Sequence, residues 1–72
     1  MGYGKFFYED FFRENAGKLV RVEMTDGDVL EGKLDGHISA LDNEPDPESI
    51  LIENVATIEL YTHEIHRIEV LE

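Results

Sequence analysis

The hydrophobic positions of this chain change their period at residue 17. Before it, Tyr3, Phe6, Phe7 and Phe11 recur at three- and four-residue spacing, which predicts one helix over about 3–15, and Gly17 follows where a left-handed cap ends a helix. Six of the seven aromatic residues lie in that segment: Tyr3, Phe6, Phe7, Tyr8, Phe11 and Phe12. At roughly 100° per residue their arc covers about two thirds of the circumference, more than one packing face needs. The helix is expected to tuck over an open end of the domain, with an outer flank containing Phe6, Tyr8 and Phe12 free to meet another subunit or a partner.

After Gly17 the period is two, the signature of strands. Val20, Val22 and Met24 alternate with Arg21, Glu23 and Thr25, and Asp26-Gly27 then supplies a tight turn in which glycine accepts positive φ without steric cost. The second strand is long, with Leu30, Gly32, Leu34, Gly36, Ile38 and Ala40 on one face and Glu31, Lys33, Asp35, His37 and Ser39 on the other. Glycine weakens a strand unless the sheet bends there, so Gly32 and Gly36 read as corners. Residues 42–49 contain both prolines, four acidic residues and nothing apolar before Ser49, and form a surface loop. Ile50 and Ile52 mark a third strand, Ile58 and Leu60 a fourth, and Ile68 and Val70 a fifth, with short connections at 54–57 and 62–66. The expected architecture is mostly β, an N-terminal helix followed by a five-stranded, strongly bent antiparallel barrel of the SH3-like type over 18–72.

Composition changes this picture in two ways. Seventy-two residues make one small domain, which buries only about 60% of its unfolded surface and needs support from outside its core. Cysteine is absent, which excludes disulfides and thiolate metal sites, so a subunit interface is the expected source of that support. The formal net charge of −11 then disfavours generic binding to nucleic acid or to anionic membranes, because phosphate affinity depends on cations that release counterions. No apolar run approaches the 18 or so residues of a membrane span and no secretory leader pattern opens the chain, so a cytoplasmic location is expected.

Residues 17–34, GKLVRVEMTDGDVLEGKL, resemble the first motif of the Sm and Sm-like (LSm) family, "GKxVxVxLxDGxxxxGxL", in which an N-terminal helix leads into strand one and the last glycine bends strand two. Residues 61–68 resemble the spacing of that family's second motif, where a short helical turn links strands four and five. The resemblance implies a bent five-stranded barrel whose copies close into a ring by pairing strand four of one subunit with strand five of the next. Those edges would be 58–62 and 67–71 here, placing Leu60, Tyr61, Ile68 and Val70 in a homo-oligomer interface beside Phe6, Tyr8 and Phe12. The family's RNA site is not reproduced. Aligned on Gly32, its Asp position holds Ile38, its stacking position Ala40 and its Asn position Asp42 or Asn43, while its basic-Gly pair is Tyr61-Thr62. Base stacking needs an aromatic or guanidinium plane, and phosphate needs a cation.

Three functional readings follow. The first is a non-enzymatic, oligomerising Sm-like interaction module, whose acidic loop could steer a basic protein partner. The alternative is RNA binding on a ring face carrying Lys18, Arg21, Lys33 and Arg67 with Asn43. A third, enzymatic reading would use Asp35, His37 and the acidic loop, but no nucleophile stands beside a paired histidine, so no catalytic residue is assigned. The 42–49 loop lacks the spacing of a calcium loop. His63 and His66, three residues apart on an expected helical turn, lack a convincing third ligand. No metal or cofactor is expected.

Overall fold

The computed structural model describes residues 7–72; Tyr3, Phe6 and the expected helix start lie outside them. Helix α1 runs Tyr8–Asn15, followed by β1 (Leu19–Met24), β2 (Val29–Ile38), β3 (Ser49–Asn54), β4 (Ala56–Tyr61), a 3-10 turn (Thr62–Glu64) and β5 (Ile65–Val70). Glu9 and Asp10 in the first turn of α1 and Arg13 in its last complement the helix dipole. Gly17, at φ +83°, turns the chain out of the helix, and its N–H donates to Leu34 O at 2.7 Å, docking the helix end on β2. Tyr8, Phe11 and Phe12 pack against the core from above without any of them being fully buried.

All five strands pair antiparallel in one sheet of order β4-β3-β2-β1-β5, and the sheet is open, with β4 and β5 as its two edges. Val20, Val22, Leu34, Ile50 and Ile52 are fully buried on its inner face, with Leu60 and Ile65 nearly so. Ile65 belongs to the expected connection 62–66, whose helical part is shorter than that span: the 3-10 turn ends at Glu64, and Ile65 already points into the core as β5 begins. The Asp26-Gly27 turn forms as expected, with Gly27 at φ +98° and the Asp28 N–H donating to Asp26 Oδ1 at 3.0 Å.

The connection expected over 54–57 is reduced to one residue, because Asn54 already pairs with Ala56 and only Val55 stands between the strands. Val55 adopts φ +61° with its side chain fully in solvent. The left-handed region sets a branched Cβ against the following carbonyl, at a cost of about 1–2 kcal/mol. Nothing packs against the valine to compensate. Val55→Asn is therefore expected to raise stability by about 1 kcal/mol in urea denaturation, since asparagine tolerates this conformation; an unchanged or lowered midpoint would contradict the strain.

The one departure that matters for function lies in β2. Leu34 pairs with Ile52, but Gly36 pairs with Leu51, so Asp35 is an extra residue without a partner. Such a bulge moves every later side chain of the strand to the opposite face. His37, expected to face outward with Lys33 and Asp35, instead pairs with the buried Ile50, and its side chain is only 8% exposed.

Candidate interaction surfaces

The bulge places His37 beneath the acidic loop and beside α1. Its Nε2 donates to Glu48 Oε2 at 2.6 Å, a distance at which the carboxylate fixes the ring. The other carboxylate oxygen, Oε1, accepts from the Thr62 hydroxyl at 3.0 Å, and Glu48 O accepts from the Thr62 N–H at 3.0 Å. Glu48 thereby ties the end of the loop to β2 and to the corner between β4 and β5. Its charge also reaches Tyr8: burial first, and then Glu48, push the Tyr8 phenol above its ordinary value.

The loop is held down at a second point. Ser49, fully buried, donates its hydroxyl to Glu59 Oε2 at 2.7 Å. Asn43 Nδ2 donates to the same oxygen at 3.2 Å and to Pro47 O at 2.9 Å. Inside the loop the Asn43 N–H donates to Ser39 O and the Asp46 N–H to Asn43 O, so residues 40–46 are folded into turns. Asn43, a candidate for RNA contact, has its amide engaged in this scaffold.

The remaining RNA candidates are brought partly together, and two of them, Arg21 and Arg67, are ion-paired. Arg21, Lys33 and Arg67 share the outer face of the sheet, where the strand registers interleave them with Glu23, Glu31, Glu53 and Glu69. Arg21 Nε donates to Glu31 Oε2 at 2.9 Å and its Nη1 lies 3.7 Å from Glu69. Arg67 reaches Glu69 at 4.0 Å. The hydrogen bond to Glu31, followed by that residue's charge, holds the Arg21 guanidinium above its ordinary pKa. Lys18 stands apart, in the exposed turn before β1. A phosphate approaching this face would meet four carboxylates among three cations, a surface of net negative charge.

The candidate interface residues fall into separate places. Tyr8 and Ile68 line one depression of about 430 Å³ together with His66 and Arg67, along the β5 edge. Tyr61 lies on the outer face at the β4 edge, paired with Ser49, its ring stacked on His63 at a centroid distance of 6.1 Å. The charges of Asp46 and Glu59, then partial burial, and Glu64 push its phenol above the ordinary value. Leu60, by contrast, is a core side chain opposite Ile50, so only its backbone belongs to the edge; Val70 pairs with buried Val20 on the inner face and is half-buried. Phe12 belongs to neither edge. With Glu9, Arg13, His37, Ser39 and Asp42 it lines a groove of about 420 Å³ between α1 and the loop.

His63 and His66 do not form a helical pair: His63 is in the 3-10 turn, whereas His66 is an exposed residue skipped in the pairing of β5 with β1. Among the described residues no group of three histidine, aspartate or glutamate side chains could hold a metal ion. No described helix is long and apolar enough to cross a membrane. The pairing of His37 with Glu48 was not anticipated from the sequence. A signal was present in Gly36, since a lone glycine inside a strand pattern marks a bulge as readily as a bend, and a bulge there reverses the face of His37.

In comparison with known proteins, no family model, curated protein or solved structure matches this chain.

Proposed function

We propose that this chain is a non-enzymatic, oligomerising interaction module built as an Sm-like barrel. The observation that carries the reading is the open sheet with β4 and β5 as its two edges. An unpaired edge offers a row of backbone donors and acceptors to another chain, and pairing β4 of one copy with β5 of the next would cover both edges of every subunit by one repeated contact. The order of one helix, five antiparallel strands and a 3-10 turn between β4 and β5 supports the Sm-like reading. The core adds weight: seven buried hydrophobic side chains among the described residues are a small store of burial for an independent domain. Tyr8 and Ile68 at one edge and Tyr61 at the other supply different side chains to the two halves of such a head-to-tail contact.

Sedimentation equilibrium tests this directly. The protein is expected to run as a multiple of 8.3 kDa, with association strengthening as salt rises from low to moderate concentration, because a charge of −11 on each copy repels the next until screened. Backbone amides of β4 and β5 should exchange more slowly in the assembled sample than in a dilute one. A single 8.3 kDa species at high micromolar concentration and moderate salt would remove the reading.

A further inference from the structure

Strand β5 carries a charge pattern that is complementary to its own reverse. Arg67 and Glu69 stand on the outer face with their charged groups 4.0 Å apart, their side chains 63% and 42% exposed. Between them Ile68, paired with buried Val22, faces inward. The other edge has no such pattern. Along β4, Ala56–Tyr61, Glu59 is the sole charged side chain, so two β4 edges brought together would meet through acid alone.

The backbone fixes which groups of β5 face the open edge. The Leu71 N–H donates to Leu19 O at 2.9 Å, within the register that sets Val20 opposite Val70. Antiparallel pairing alternates its hydrogen-bonded residues, so Arg67 and Glu69 turn their N–H and C=O groups to β1 while those of Ile68 and Val70 point away from the sheet. A second copy, turned by half a revolution about an axis perpendicular to the sheet, presents the same row of groups antiparallel, with both inner faces on one side. Matching phase requires that axis to pass through a residue of β5. At Arg67 it would set two arginines opposite each other and at Glu69 two glutamates, both unfavourable; at Val70 it would set Glu69 against Leu71. At Ile68 each charge meets its opposite. Arg67 of either copy then lies across from Glu69 of the other, in the non-hydrogen-bonded position where cross-strand side chains come closest. Ile68 meets Ile68 on the inner face, beside the depression of about 430 Å³ that it lines with Tyr8.

We propose that β5 is a self-complementary docking edge whose partner is a second copy of this chain, paired antiparallel about a twofold axis at Ile68. This contact rests on the oligomerising reading and gives it a defined partner surface. It occupies the edge that head-to-tail pairing with β4 also needs, so the two contacts exclude each other on any one β5. A self-paired copy has only its β4 edge left for a further partner.

Sedimentation equilibrium of the full chain at moderate salt measures the dissociation constant of the dimer. Arg67→Glu should weaken dimerisation about tenfold or more, because two like-charge pairs replace two opposite ones. Arg67→Glu combined with Glu69→Arg restores the complementarity at unchanged net charge, and should recover affinity to within about threefold of the native chain. Lys33→Glu, the same charge change two strands away from the edge, should cost no more than about threefold. Urea denaturation of each variant reports its folding separately. Because the chain has no cysteine, Ile68→Cys introduces a single thiol. On the axis it should give a disulfide-linked dimer under mild oxidation, at a Cα separation of about 5.5 Å that a disulfide spans. Thr57→Cys on β4 should not link, and head-to-tail pairing, which joins β4 to β5, links neither. Dimerisation indifferent to Arg67→Glu, no recovery in the double variant, equal linking at both thiols, or an Ile68→Cys chain that is dimeric yet unlinked would overturn the self-pairing and leave oligomerisation itself intact. An 8.3 kDa species in every sample would remove both.

Discussion

Gly32→Val is expected to cost about 3 kcal/mol or more, roughly half the stability available to a domain of this size, and to move the unfolding midpoint sharply down. A Cβ at position 32 would lie 2.7 Å from Glu53 O, 3.1 Å from Glu53 C and 3.3 Å from Asn54 Cβ. The first two are backbone atoms of β3, held by pairing with β2 on one side and β4 on the other, so they cannot step aside as a flexible side chain would. Urea denaturation followed by circular dichroism measures the loss. Gly36→Ala is the built-in contrast. Its Cβ would meet only the Leu51 side chain, at 3.0 Å from Cδ1, and Leu51 is partly exposed and able to turn away. A loss under about 1 kcal/mol is expected there. Equal effects at the two positions would mean that bending in general, and not the approach of β3 at Gly32, explains the glycines of β2.

Glu48→Ala carries the second large effect, an expected loss of about 2–4 kcal/mol. Removal of the carboxylate strips the buried His37 Nε2–H of its acceptor and takes the side-chain acceptor at 3.0 Å from the Thr62 hydroxyl. An orphaned donor inside a low-dielectric site is costlier than the bond was worth, because water cannot replace the lost partner. Glu48→Gln should be much milder: its amide oxygen still accepts from the imidazole, and the Thr62 hydroxyl can accept from the amide nitrogen instead of donating. The two variants thus separate a need for an acceptor from a need for charge. A Gln variant as unstable as the Ala variant would show that the charge is what matters; an Ala variant as stable as the native chain would dismiss the cluster as a stabilising contact.

The elements themselves were legible along the chain. Period 3.6 before Gly17 and period 2 after it produced a helix and five strands, because backbone geometry alone ties these periods to these elements, and positive φ at Gly17 and Gly27 marked the helix end and the first hairpin. The acidic loop was legible for the same kind of reason, since two prolines and four carboxylates in eight residues neither pair in a sheet nor enter a core. The site was not. Alternation along β2 assigns His37 to solvent if the period is carried through unbroken, and only the pairing of Leu34 with Ile52 and of Gly36 with Leu51 reveals the extra residue that turns it inward.

What local patterning can settle is whatever depends on neighbours within a few residues: element type, turn positions, the loop and the sign of the surface charge. Which strands form the edges, which face His37 occupies, and the neutralisation of Arg21 by Glu31 and Glu69 depend on register between strands distant in sequence. Register is decided by all the side chains of the sheet finding one common packing, and a shift of a single residue exchanges its two faces. The tertiary structure therefore turned a surface histidine into a buried ring held by Glu48, and a set of separated cations into a face interleaved with carboxylates.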